Sequence, residues 1–449
     1  MRCSIGYLPA ARRVLAKQAP FRLLIDVDFS HGYQLCVFTK INFPAGNTIN
    51  YCKFGSRYDK AIPLEMKIRF FPSLLASLLV VAACTPESLD VSMPPIETVV
   101  DDPIIEPSVV PNNRIADGRH VTAYVTYYGS LTPDCSVLTH INYAFAELYM
   151  VDGIYQGFKV QGKVERFESI ASLKKNHSEL KISLSFTNGV ANNDNKQGGG
   201  FSALAASEVG RRAFAEDCLA FLRKYNLDGI DLDWEYPGLG WSGAACNPAL
   251  DTDNYVLLVK QLRETLGSKY EISYAGYCTN KVAVTGGYHY IDIAAMDPYV
   301  DYVNIMTYDL DEAPHHHSAL SDSRAYKDCK RAVQAYLEAG VSPYKLVLGI
   351  PFYGRHSWSK SPGALTYKSI LELDPRQYRR NKWDAVASCP YVETMDGTFF
   401  CGYDNPRSIA LKGEWTRKQG MRGLMYWEYD QDDANGTLRK AVWNAVMTK

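Results

Sequence analysis

At 449 residues, 47% hydrophobic and 22% charged, the chain has room for one large barrel or two to three ordinary domains, with a composition that suits a packed core. A formal net charge of -1 gives no electrostatic reason for a nucleic-acid partner. The 11 cysteines form no CxxC pairs and no alternating Cys/His spacing, which argues against a structural zinc site.

Residues 1–65 show no sustained helical or strand period. At Met66 a basic start (Lys67, Arg69) leads into an apolar run from Phe70 to Ala83, too short for a comfortable membrane span, and then to small residues before Cys84. That order reads as a secretory signal over 66–83, the alternative being a short buried helix. Val81-Ala82-Ala83-Cys84 resembles a bacterial lipobox, which implies cleavage before Cys84 and a lipid on its sulfur. The expectation is a protein exported and lipid-anchored to the bacterial cell envelope, facing the periplasm or the exterior. Residues 1–65 are then expected to be an over-extended start, with translation beginning at Met66. The Pro- and acid-rich stretch 84–118 reads as an extended tether. The folded part is expected over 119–449.

From Val121 onward, short apolar runs alternate with amphipathic stretches. Candidate strands begin near 121, 138, 180, 227, 270, 300, 345 and 421, and the clearest helix runs from about Glu208 to Tyr225 with Phe214, Cys218, Phe221, Leu222 and Tyr225 on one face. Eight strands alternating with helices fit an α/β fold, a (β/α)8 TIM barrel. A doubly wound open sheet uses the same units, so repetition alone does not separate them. The aromatic-rich interval 356–405 is too long for a structureless loop and reads as a small inserted α+β subdomain.

The segment LDGIDLDWEYPG at 227–238 carries the chemistry. Strand side chains alternate faces, so Asp231, Asp233 and Glu235 share one face while Ile230, Leu232 and Trp234 share the other. In a barrel the acidic face turns toward the axis and mouth. Carboxylates spaced about 6.5–7 Å apart along a partly dry strand cannot all ionise cheaply, so one keeps a proton near neutral pH. Such a group suits protonation of a poor leaving group, and Glu235, longest and nearest the strand end, reaches farthest. An exposed edge strand or a Mg²⁺ or Ca²⁺ site are the competing readings of the same acids.

These residues resemble the family 18 glycoside hydrolases, the chitinase family, whose strand-four signature DxxDxDxE is matched by Asp228, Asp231, Asp233 and Glu235. The resemblance runs in order over about residues 120–449. LTHINYAF looks like the family's second strand, MTYD at 306–309 its sixth, GIPFYGR at 349–355 its seventh and MYWE at 425–428 its eighth. It implies Glu235 as proton donor, Asp233 and Asp231 as its partners, and Tyr308 holding the substrate acetamide oxygen. It further implies a binding set of Tyr124, Phe145, Ser185, Trp234, Met306, Asp309, Tyr353, Arg355 and Trp427, the last as the floor under the sugar. This family uses the substrate's own acetamide as nucleophile. No metal or organic cofactor is implied. The implied partner is an N-acetylglucosamine oligosaccharide or polysaccharide, bound by a monomer.

One departure bears on cleft shape: strand three usually ends SxGG, whereas Ser185 is followed here by Phe186, Thr187 and Asn188. His315-His316-His317 reads as a rim loop with polar contacts rather than a metal site, and the Gly198–Gly200 run lacks the context of a phosphate loop. Trp241, Trp358 and Trp383 suit either sugar platforms or core. Cys389 with Cys401, and Cys246 with Cys278, are candidate disulfides or free thiols. The functions in competition are a chitinase, an endo-β-N-acetylglucosaminidase acting on N-glycans, and a non-catalytic sugar-binding barrel, which typically lacks the acid present here at Glu235.

Overall fold

The computed structural model describes residues 118–189, 200–240 and 245–448, and the backbone of three strands between 22 and 56. The signal segment, Cys84, the tether before Gly118, Gly198, Gly199 and Trp241 lie outside the described residues. Within the unit Met1–Val91, the strands Arg22–Asp28, Leu35–Asn42 and Thr48–Ser56 form an antiparallel sheet in chain order. This corrects the absence of any strand signal there. The three segments carry many β-branched and aromatic residues, a propensity that a search for alternation passes over.

The second unit is built on eight parallel strands: β1 (His120–Thr126), β2 (His140–Val151), β3 (Lys181–Thr187), β4 (Gly229–Asp233), β5 (Glu271–Gly276), β6 (Tyr302–Ile305), β7 (Leu346–Pro351) and β8 (Gly423–Trp427). Each lies between its chain neighbours, and β8 returns to β1 with Gly423 opposite His120. That last pairing closes a barrel and rules out the open sheet. At the seam a Cβ on Gly423 would collide with the His120 backbone, so the two strands can approach only because position 423 has no side chain.

The main surrounding helices are α1 (Val164–Ala171), α2 (Glu208–Tyr225), α3 (Asp251–Leu266), α4 (Cys329–Glu338), α5 (Pro406–Lys418) and α6 (Thr437–Met447). Helix α2 shows how its sequence sets its bounds. Ser207 caps the start by accepting the Gly210 N–H, and Asn226 ends it in a left-handed conformation. Phe214, Cys218 and Leu222 are buried, with Phe221 and Tyr225 packed at the edge. Ile230, Leu232 and Trp234 of the β4 segment meet that helical layer in the main core.

Inside, the barrel is layered. At its amino-terminal end the His120 and His140 rings stack 3.7 Å apart, with Tyr302 edge-on to both. Tyr124, Tyr302, Val347 and Met425 fill the middle, beneath Met306, Tyr308, Phe145 and Trp427. Between β7 and β8 the chain builds a five-stranded antiparallel sheet in the order 364–366, 353–355, 399–402, 389–394, 378–384. Trp383 is buried there with the Arg407 guanidinium over its ring, whereas Trp358 is exposed beside Arg355.

Neither candidate disulfide forms. Cys246, Cys278, Cys389 and Cys401 are all free thiols. In the inserted sheet Cys389 pairs with Asp384 while Cys401 pairs with Val392, so the two sit in different registers.

Trp234 is also not in the cleft. Its ring stacks on Phe201 at 5.5 Å and tilts against Tyr255, with 1% of its surface exposed. Strand alternation sends it toward the helices, and that geometry overrides its place beside the acids in sequence. Trp234→Ala should therefore destabilise the fold by about 3–5 kcal/mol, as removal of a buried aromatic does, measured by denaturant unfolding. A loss under 1 kcal/mol would contradict the placement.

Candidate active site

The β4 acids climb the barrel axis in three different environments. Asp231 is fully buried and accepts four hydrogen bonds: Tyr124 Oη at 2.7 Å and Ser185 Oγ at 2.9 Å on Oδ2, and Ser273 Oγ at 2.6 Å and Asn304 Nδ2 at 3.2 Å on Oδ1. The donors come from β1, β3, β5 and β6. They replace the water that a buried carboxylate would otherwise lose. Tyr124 and Ser185 are the anticipated supports. Ser273 and Asn304 were missed, although each is an uncharged polar residue between apolar neighbours at a position facing the axis.

Asp233 lies one step higher, opposite Thr187, and is nearly buried. Its Oδ1 has no hydrogen-bond partner. Burial first, then the charge of Asp231 and a hydrogen bond to it, raise its proton affinity well above the ordinary carboxyl range. Asp233 thus keeps its proton beside Asp231. Glu235, just past the strand end, is reached by solvent at the base of the cleft. The enclosing walls still leave it poorly hydrated. Burial raises its pKa to about 7, the Asp309 charge adds to this, and a hydrogen bond involving Tyr236 opposes it.

Asp309 adopts a left-handed backbone, φ 54°, at the end of the β6 segment. Arg355 grips its carboxylate with two hydrogen bonds, 2.9 Å from Nε and 2.8 Å from Nη2. His317 Nδ1 lies 3.3 Å from the same carboxylate and 3.2 Å from the Asp309 backbone N. Burial alone would raise the Asp309 pKa, but the hydrogen bonds from His317 and Arg355 outweigh it and hold the group down at about 2. The histidine run lies in the loop after β6 with polar contacts, as expected, but two of its rings turn inward. His316 and His317 are buried, His316 Nε2 standing 3.3 Å from Asp384 and His317 packed on Tyr353. Both rings thus face carboxylates inside the fold. Among the described residues no cluster of His, Cys, Asp and Glu is arranged to hold a metal.

The remaining site residues converge on the same mouth. Tyr308 points its hydroxyl at Met425 Sδ, 3.9 Å away. Burial and then the charges of Glu235, Asp233 and Asp309 keep that hydroxyl protonated, far above its ordinary range. Trp427, partly exposed, stacks on Phe145 at 5.6 Å and leans on Tyr124 at 5.5 Å, which fixes its plane as a floor. Met306 packs beside it. A cavity of about 280 Å³ opens among Trp427, Tyr353, Arg355, Asp309, Thr366 and Gln431, between the barrel mouth and the inserted sheet. Glu428, also missed, is buried below the floor, and burial raises its pKa to about 7. Asp228 stands at the far end of β4, where Lys174 at 2.5 Å and the Ile182 N–H at 2.8 Å bind it. It ties β3 to β4 and takes no part in the cleft.

Phe186 turns outward onto Phe158 and Phe214, whereas Thr187 stands opposite Asp233 in the sheet. Asn188 is nearly buried, its Oδ1 unpartnered.

Comparison with known proteins agrees with this geometry. The chain is 30% identical over 285 residues to chitinase A1 of Niallia circulans, covering 54% of this chain and 40% of that protein. It is 28% identical to probable chitinase 2 of Drosophila melanogaster, covering 68% of each. Among solved structures, a family 18 N-acetylglucosaminidase from Paenibacillus barengoltzii superposes with a TM-score of 0.60 at 28% identity, over 73% of this chain and all of that one. A cell-surface chitinase of a Paenibacillus strain gives 0.61 at 28% identity, over 74% of this chain and 43% of the other. The family model described as glycosyl hydrolases family 18 matches residues 120–432. Closed barrel, graded acids and family match together place the chain in the glycosyl hydrolases of family 18.

Proposed function

We propose that this enzyme cleaves β-1,4 linkages between N-acetylglucosamine units of chitin or its oligosaccharides, with retention, using the substrate's acetamide as nucleophile. The observation that carries the reading is the inequality of the carboxylates. Asp231 is saturated by four donors, Asp233 keeps a proton and a free oxygen, and Glu235 is poised near pH 7. Asp309 is locked by Arg355 and Glu428 is buried, which supports the nucleophile that the family resemblance implies, the substrate's own acetamide.

In the proposed sequence Glu235 gives its proton to the glycosidic oxygen as the C1–O bond breaks. The acetamide carbonyl oxygen of the sugar over Trp427 bonds to C1, forming an oxazolinium ion. Asp233 accepts the acetamide N–H with its unpartnered Oδ1 and, passing its proton toward Asp231, balances the positive charge. Tyr308 donates to the acetamide oxygen. Water then adds at C1 on the face the leaving group vacated, Glu235 takes its proton, and the acetamide is released.

The wall formed by the inserted sheet beside the floor suits a linear chain lying in a cleft, which favours chitin over the branched core of N-glycans. Chitobiose release from colloidal chitin, compared with deglycosylation of a glycoprotein, separates these substrates. The Met66–Cys84 segment supports export and attachment through a lipid on Cys84.

Glu235→Gln should lower turnover by about 10²–10⁴-fold, the usual contribution of a general acid, while oligosaccharide binding persists. Turnover within tenfold of wild type would defeat the assignment. Activity should fall as pH rises through about 7, where Glu235 loses its proton. Asp309→Asn removes a negative charge beside it, so ionised Glu235 becomes easier to form. The alkaline limb of the kcat/KM profile should then move to lower pH. An unmoved limb, or a shift to higher pH, contradicts that coupling.

A further inference from the structure

Tyr308 stands amid acids, yet among the described residues its hydroxyl donates to none of them. Glu235, Asp233, Asp309 and Asp231 all lie near enough to raise its proton affinity. Its hydrogen-bond partner is instead a thioether, Met425 Sδ at 3.9 Å. Sulfur is a weak acceptor, whereas a carboxylate would bind the same hydroxyl through a charge-assisted bond. The proposed reaction has no use for a strong resting bond here, because this hydroxyl must pass to the acetamide oxygen.

Three strands arrange the pair. Met425 is fully buried on β8, two residues before Trp427 and on the same inward face. Tyr308 follows the end of β6, and β7 runs between β6 and β8 with Gly349 opposite Met425. A Cβ on Gly349 would stand 2.8 Å from both Met425 Cε and Tyr308 Cε1. The ring and the thioether share the space above β7 only because position 349 carries no side chain. Tyr124, Tyr302 and Val347 belong to the same buried cluster as Met425 and hold it in place. When substrate arrives, only the hydroxyl hydrogen has to rotate, from sulfur to the carbonyl oxygen. Exchanging a weak bond for an ordinary one is a net gain, and a carboxylate partner would offset that gain.

We infer that Met425 is a positioning residue for the reaction: its sulfur keeps the Tyr308 hydroxyl directed away from the neighbouring acids and free to pass to the substrate acetamide. The inference rests on the substrate reading proposed above and on the part Tyr308 takes in it. The test measures kcat/KM on the N-acetylglucosamine hexamer for the full chain carrying Met425→Leu or Met425→Gln, each alone and together with Tyr308→Phe. Leucine keeps the apolar volume but offers no acceptor, which leaves the hydroxyl to the carboxylates. Met425→Leu should lower kcat/KM by roughly 3- to 10-fold, the contribution of one ordinary hydrogen bond. Met425→Gln sets a stronger acceptor at similar reach and should lower it at least as far. With Tyr308→Phe already present, either substitution should change kcat/KM by less than about 2-fold, since no hydroxyl remains to direct. Equal losses in the two backgrounds mean that Met425 only packs, and they overturn the inference while the catalytic reading stands. A Met425→Leu enzyme as active as wild type overturns it too. Should Met425→Gln not fold, the leucine measurements decide alone. A wild-type chain that leaves the hexamer uncut defeats the substrate reading, and this role falls with it.

Discussion

A carboxylate at the centre of a barrel is the constraint around which the rest of this structure is arranged. Removing a charge from water costs several kcal/mol unless hydrogen bonds replace the hydration, and Asp231 receives four, each from a different strand. The donors make that position a junction of β1, β3, β4, β5 and β6. Because Tyr124 is held by Asp231 at one end and supports Trp427 at its ring, the bond that offsets the burial of Asp231 also orients the Trp427 ring at the barrel mouth. Stability and geometry meet in one group.

The proton balance at the mouth follows from that junction. Burial makes ionisation of Asp233 expensive, and the neighbouring Asp231 makes it more so. Glu235, farther out and reached by solvent, is raised only to the neutral range, where a group can both give and take a proton. Asp309 contributes from the side, and its own charge persists because Arg355 and His317 hold it. Four carboxyl groups around one barrel mouth thus occupy four different environments, set by what surrounds each.

Much of this was legible in the sequence because strands and barrels impose simple periods. The two-residue alternation of β4 placed the acids on one face, and the eight apolar runs correspond to the eight barrel strands. The same alternation places Trp234 in the core, and assigning it to the binding set ignored the period. Ser273 and Asn304 escaped notice because a single polar residue in an apolar run carries no motif. Its meaning depends on which strand lies alongside, and strand order is a tertiary fact. The inward turn of His316 and His317 depends on Asp384 and Asp309, of which Asp384 is distant in the chain. The cysteine pairs fail for a related reason, since sequence proximity says nothing about register across a sheet. The inserted sheet was legible as an aromatic-rich interval too long to be a loop, without its strand order.

The stacked His120 and His140 rings lie at the end of the barrel away from the chemistry, yet they bear on the conditions the enzyme tolerates. Burial first, then the proximity of His140 and Arg422, depress the proton affinity of His120 well below its ordinary value. An unfolded chain binds that proton near pH 6.5 and the folded one resists it, so folding stability declines as acidity increases below that point. The mouth responds in the opposite sense, with Glu235 losing its proton on the alkaline side of about 7. The barrel therefore carries an operating window with its two limits written at opposite poles, the lower one in the fold and the upper one in the reaction.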